Sequence, residues 1–170
     1  RFLVSSPALG EHAAALAPFR DRVTVIPFGI DVDAWRPSDS VRRRADAIRR
    51  GASGPIVLFA GRPVPYQGVP VLIAAAAPLA VDVVIAGAGP MREEWRALAE
   101  RQSGPARFSF PGEVDDHELR ALLLACDMLV LPSVTRAEAF GYAQLEAMAC
   151  GKPVISTALA TGVPCSQRMR

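Results

Sequence analysis

The chain has 170 residues, 51% hydrophobic and 6% aromatic, which suits one globular domain with a sizeable core, or one domain plus part of another. Its 19 Lys+Arg against 17 Asp+Glu leave a formal net charge of +2, too balanced for a nucleic-acid binder and compatible with an anionic small-molecule ligand. Lys152 is the only lysine, and arginine alongside abundant Ala, Gly and Pro reads as compositional bias, so arginine abundance alone does not argue phosphate binding. Cys126, Cys150 and Cys165 show no CxxC pairing. They are expected to be reduced thiols in a cytoplasmic protein, with neither a disulfide framework nor a metal site. No apolar run reaches the ~18–20 residues that span a bilayer. A start at Arg1, without a signal-peptide pattern, reads as the middle of something longer.

In chain order, "RFLVSS" is followed by a helix-like "PALGEHAAALAPF". "DRVTVIPFGIDVDAWRP" then reads as a strand leading into a turn-rich linker with Pro27, Gly29 and Pro37. "SVRRRADAIRRG" reads as a solvated arginine-rich helix or loop, with membrane-surface contact as its second reading. Five apolar runs follow, beginning at Ile56, Val81, Ala106, Asp127 and Pro153. Their continuity predicts strands buried on both faces. Helical patterns alternate with them. "GVPVLIAAAAPLA" carries Pro70 in its first turn. "MREEWRALAERQ" puts Met91, Trp95 and Leu98 on one face. "DDHELRALLLACD" starts with Asp115 and Glu118 in a capping-box-like arrangement. Strand and helix alternate at a pitch of roughly 25 residues, which predicts a parallel, doubly wound, Rossmann-like α/β sheet. Ligands in such sheets bind outside the C-terminal strand ends, so the loops there are the ones that matter.

"AGRPVPYQG" follows the first of the five strands. Arg62 is either an exposed loop residue or a bidentate grip on phosphate, with Gly61 allowing close backbone approach. "AGAGPM" begins like a dinucleotide fingerprint but lacks the third glycine, and a tight turn into a helix is the simpler reading. The missing glycine also disfavours a nicotinamide-dependent dehydrogenase. "PGEVDD" could present Gly112 and Val114 to a flat ring, or be a plain loop. In "TRAEAFGYAQLEAM" a helix starting near Phe140 or Gly141 would aim its free amides at the crevice. Glu138 would precede that helix and Glu146 would lie two turns in, up to ~12 Å apart along the axis. Such a pair could hold sugar hydroxyls at either end of a pyrophosphate. Alternatively, Glu138 answers the helix dipole and Glu146 faces solvent, with Tyr142, Leu145 and Ala149 as the buried face. His12 and His117 have no evident catalytic partner.

The ordered pieces "VIPFGIDVDAWRP", "GRPVPYQGVPVLIAAAA", "VVIAGAGPMREEW", "FPGEVDDHELRALLLACDMLVLPS" and "EAFGYAQLEAMACGKPVIST" resemble a known family. It is the C-terminal, donor-binding half of the family 4 ("group 1") retaining glycosyltransferases of the GT-B fold. The resemblance runs from about Val23 to Pro164. It implies a nucleotide-sugar-binding domain over residues 55–170, incomplete at its C-terminus. An arginine-rich linker would occupy 31–54. A remnant of the N-terminal domain and the interdomain connection would occupy 1–30. It also implies roles. Arg62 would contact the donor diphosphate, with Gly61 and Gln67 on the same loop. Glu138 would hold hydroxyls of the transferred sugar, and Arg62 and Glu138 would carry the catalysis. Main chain at Phe140 and Gly141 would bind phosphate, Glu146 the ribose, and the Gly112 to Val114 loop the base. No metal or other cofactor is expected, because arginine and helix amides can neutralise the leaving group.

The implied reaction transfers a hexose, mannose included, from GDP- or UDP-sugar to a glycan or lipid-linked acceptor with retention. The acceptor would sit on a missing N-terminal domain, in the cytoplasm or at the inner membrane face. Gln67 stands where the family usually has lysine, which removes one positive charge at the diphosphate. A degenerate or truncated nucleotide-binding module without turnover is the alternative.

Overall fold

The computed structural model describes residues 1–159 and 161; Cys165 lies outside them. The N-terminal piece is a small parallel pair, β1 (Phe2–Val4) against β2 (Val23–Val25). Between them run α1 (Pro7–His12) and a 3-10 segment, Ala14–Arg22. Ser6 caps α1, its Oγ accepting the Leu9 N–H at 3.1 Å, and Pro7 fits the first turn because a proline there forfeits no helical hydrogen bond.

The arginine-rich stretch is a helix, α2 (Asp39–Gly51), capped by Ser38. Its arginine face is solvated, as the charge run suggests. The opposite face is core: Val41 and Ala45 are buried in one cluster with Ala121, Leu122 and Ala125.

The five apolar runs form one parallel sheet. In chain order its strands and helices are β3 (Ile56–Ala60), α3 (Val69–Ala76), β4 (Asp82–Ala86), α4 (Arg92–Glu100), β5 (Arg107–Gly112), α5 (Asp116–Ala125), β6 (Met128–Leu131), α6 (Tyr142–Ala149) and β7 (Val154–Ser156). The strand order is β5-β4-β3-β6-β7, so the chain winds outward from β3 in both directions. Side-chain alternation along β3 divides the core. Ile56 and Leu58 point to the α2 and α5 side, with Leu122, Leu123 and Leu129. Val57 and Phe59 point to the α3 and α4 side, with Ile73, Ile85 and Trp95. Each such buried side chain contributes about 1.5–3 kcal/mol before entropy is subtracted. Burial on both faces holds for β3. The runs "ARFSF" and "PVIST" are edge strands instead, each half-exposed because among the described residues it has a neighbour on one side only.

Two aspartates close the N-terminal end of the sheet. Asp82 Oδ2 accepts the Ser53 and Gly54 N–H groups at 2.6 and 3.0 Å, and its other oxygen pairs with Arg107. Asp127 Oδ2 accepts the Ile56 N–H at 2.7 Å, and Arg49 from the end of α2 clasps the same carboxylate. That guanidinium holds the Asp127 carboxyl below its ordinary value, helped by the Ile56 amide and opposed by partial burial.

Asp115 caps α5 as its spacing suggests, accepting the Glu118 N–H at 2.8 Å. The reciprocal arm of the capping box is not made. Glu118 reaches across to α2 and takes a two-pronged hydrogen bond from Arg44, both arms 2.7 Å. A charged fork outcompetes a single backbone amide.

Candidate functional site

The C-terminal strand ends are laced together by backbone. The Gly61 N–H donates to the Ala86 carbonyl at 3.1 Å, and the Gly87 N–H to the Gly112 carbonyl at 2.7 Å. In "AGAGPM" the chain turns tightly and crosses Pro63, where the Met91 N–H donates to the Pro63 carbonyl at 3.1 Å. Gly87 has φ +137°, and a Cβ there would lie 1.9 Å from the Gly61 carbonyl oxygen. Only glycine fits such a crossing.

These loops surround a pocket of about 520 Å³. Gly61, Arg62, Gly87, Val114, Ala143 and Glu146 are among its lining. Arg62 is exposed, and its guanidinium makes no hydrogen bond or ion pair among the described residues. Glu146 is half-buried. Burial pushes its carboxyl above the ordinary value, Asp116 pushes the same way, and Arg120 opposes both. Arg120 is itself fixed, 4.8 Å over the Trp35 ring and hydrogen-bonded to the Ala34 carbonyl. Gly112, at φ +83°, packs against the Arg92 guanidinium, whose Nη2 donates to the Phe110 carbonyl at 2.8 Å.

A second cluster adjoins the first. Gly68, at φ +65°, packs so closely on the chain after β6 that a Cβ would lie 2.1 Å from the Pro132 carbonyl oxygen. The Val134 N–H donates to the Tyr66 carbonyl at 2.8 Å. This contact brings Gln67 to Ser133 and Glu138. Gln67 Nε2 donates to Glu138 Oε2 at 2.8 Å, and Ser133 Oγ lies 3.3 Å from both that oxygen and Gln67 Oε1. Gln67 and Ser133 are 6% and 1% exposed, so their hydrogen bonds are made largely out of water. A Cβ built on Gly61 would sit 4.0 Å from Gln67 Oε1, so the two clusters share a wall.

Helix α6 begins after Gly141, as the sequence predicts. Gly141 has φ +78°, and a Cβ there would meet Gln144 Nε2 at 2.5 Å and Leu131 Cδ2 at 2.7 Å. The first-turn amides of Tyr142 and Ala143 have no intrahelical acceptor. Phe140 is buried, its ring edge-on to Phe28 at 5.1 Å. The expected buried face of α6 needs correction. Tyr142 is 47% exposed and stacks on Phe28 at 5.4 Å, while Gln144, Leu145 and Ala147 are buried. Starting at Tyr142, the helix turns its first side chain toward the Phe28 ring outside the sheet.

Of the residues expected at the site, Gly61, Arg62, Val114 and Glu146 line one pocket, and Gly112 lies outside its lining, against Arg92. Gln67 and Glu138 meet in the adjoining cluster, and Phe140 and Gly141 lead into the helix beside it. Sequence reasoning missed Ser133, Phe28 and Arg92. Ser133 alone had a signal, its place in the loop just past the end of β6. Among the described residues no three His, Cys, Asp or Glu side chains form a metal-ligand set, and no helix is long and apolar enough to cross a membrane. Cys126 and Cys150 are free thiols, and burial pushes Cys126 up to about 11.

Known proteins resemble this chain in sequence and in fold. Residues 43–166 match the family described as glycosyl transferases group 1. D-rhamnosyltransferase WbpZ of Pseudomonas aeruginosa is 35% identical over 162 residues, covering 95% of this chain and 42% of the relative. O-antigen chain mannosyltransferase C of Escherichia coli is 32% identical over 161 residues, with 94% and 42% covered. The crystal structure of Anabaena HepE in complex with UDP-glucose superposes with a TM-score of 0.76 at 23% identity, covering 95% of this chain and 45% of that one. The chain thus spans less than half the length of these relatives. Its doubly wound sheet is that of the C-terminal half of a GT-B fold. Sequence match and architecture agree: the chain belongs to the group 1 glycosyl transferases.

Proposed function

We propose that this chain is the donor-binding half of a retaining hexosyltransferase that takes a GDP- or UDP-hexose, mannose among them. The observation that carries the reading is the meeting in one glycine-walled pocket of a half-buried carboxylate and an arginine that has no partner among the described residues. Arg62 grips the diphosphate, where a planar guanidinium matches two phosphate oxygens. Main chain at Phe140 and Gly141, with the start of α6, adds amides and a positive dipole end. Glu146 accepts from ribose hydroxyls, Glu138 from the hexose, and the Gly112 to Val114 loop meets the base.

Arginine and helix amides carry the leaving-group charge without a metal or other cofactor. The acceptor, a glycan or lipid-linked saccharide, approaches the same sugar face that the diphosphate leaves, and a phosphate oxygen takes its proton. The acceptor belongs to a partner half of the protein. The setting is cytoplasmic, with the exposed arginines of α2 available to an anionic membrane surface.

A second reading, a nucleotide-binding module without turnover, is favoured by Gln67, which is neutral and turned toward Glu138. Calorimetry of this chain with UDP, GDP and ADP tests the donor site. Binding of UDP or GDP is expected; binding of none of the three overturns the reading.

A further inference from the structure

We infer that Ser133 and Gln67 are positioning residues that hold one oxygen of Glu138 and so present the other to the donor sugar. This rests on the donor-site reading above and adds a cause for the sugar contact. Both neighbours converge on Oε2, Gln67 Nε2 at 2.8 Å and Ser133 Oγ at 3.3 Å. Oε1 accepts no hydrogen bond among the described residues. A carboxylate tethered through one oxygen loses its rotation, and its free oxygen keeps one direction.

The amide orientation is forced. Turned the other way, Gln67 would set a carbonyl oxygen against a carboxylate. With Nε2 toward Glu138, Gln67 Oε1 is left within reach of the Ser133 hydroxyl at 3.3 Å. The single Ser133 proton therefore chooses between two acceptors, and either choice keeps the three groups together. The backbone beneath is fixed by Gly68 against Pro132 and by the Val134 to Tyr66 hydrogen bond. A neutral amide also leaves Glu138 its full charge, whereas an ammonium in the same place would neutralise it. Gln67 therefore acts on the sugar through Glu138, toward which its amide is turned. The part of the affinity that depends on these residues is the part owed to the hexose.

The test compares UDP-glucose with UDP, and GDP-mannose with GDP, on the full chain by calorimetry. The preference for sugar nucleotide over bare diphosphate is expected to fall about three- to tenfold in Ser133→Ala and in Gln67→Met, with diphosphate affinity unchanged. Ser133→Thr, which keeps the hydroxyl, restores it. Gln67→Glu sets two carboxylates together, and these share a proton only at lower pH. Its sugar preference should then be present in acid and vanish as pH rises, a dependence that a merely structural role would not create.

If Glu138→Gln abolishes the preference while Ser133→Ala and Gln67→Met retain it, the inference is overturned and the donor site stands. A wild type that binds UDP and UDP-glucose equally, and GDP and GDP-mannose equally, likewise overturns it alone. Failure to bind any nucleotide removes the donor site itself. Should Gln67→Met not fold, Ser133→Ala and Ser133→Thr decide the matter.

Discussion

The two ends of the central sheet handle charge in opposite ways. At the N-terminal strand ends Asp82 and Asp127 are both answered. Asp82 takes two backbone amides and Arg107, and Asp127 takes one amide and Arg49. At the C-terminal ends, among the described residues, Arg62 has no partner, Glu146 is partly desolvated, and Glu138 uses one oxygen of two. Nothing in chain topology requires this asymmetry, since both ends are made of loops joining the same strands and helices. Paired charges stabilise and are inert, while unpaired ones cost stability and can bind. The closed end serves the fold, and the open end is where the proposed donor would bind.

That contrast can be broken by variants at each end. Arg62→Ala should have the largest effect at the open end. Diphosphate affinity should fall about ten- to a hundredfold, the value of a charge-assisted hydrogen-bond pair, while Tm stays at the wild-type value. A lower Tm with unchanged affinity would place Arg62 in the structural class. Asp127→Asn should do the reverse, lowering Tm at neutral pH and leaving UDP affinity as it was.

Its pH signature follows from linkage. The folded carboxyl lies below its unfolded value, so its stabilisation is present above about pH 4 and is lost as pH falls through the folded value. Thermal scans between neutral pH and acid should therefore show a shallower acid loss in Asp127→Asn than in wild type. Glu146→Gln should have the smallest effect on stability, and of opposite sign. Its folded carboxyl lies above the unfolded value, so its contribution favours the fold in acid and is lost as pH rises. At neutral pH the variant should melt at or slightly above wild type while binding UDP more weakly. A drop in both would make Glu146 a structural residue.

The layering was legible because continuous apolar runs such as "IVLFA" announce a strand covered on both faces. The edges were less so. "ARFSF" and "PVIST" look much like the central runs, and only pairing order makes them edges. α2 hid its core face because Val41 and Ala45 are outnumbered by arginines, and the residues they meet on α5 lie far along the chain. At the site, Arg62, Glu146 and the glycine before α6 could be read from spacing, since each is local to a strand end or helix start. The Gln67, Ser133 and Glu138 cluster could not. It depends on Gly68 meeting Pro132, a backbone contact between loops more than sixty positions apart. Sequence shows which residue types are present at such a contact but gives no sign of which way an amide turns.

The two tryptophans occupy contrasting surroundings. Trp95 is sealed in the core, its ring 6.2 Å from that of Phe59 and edge-on to it. Trp35 lies half-exposed under Arg120, whose charge also acts on Glu146. The molecule thus carries two optical reporters of its own. One changes colour when the core melts. The other lies under the arginine whose charge acts on Glu146, so filling of the proposed donor pocket is expected to alter its emission without any label being added.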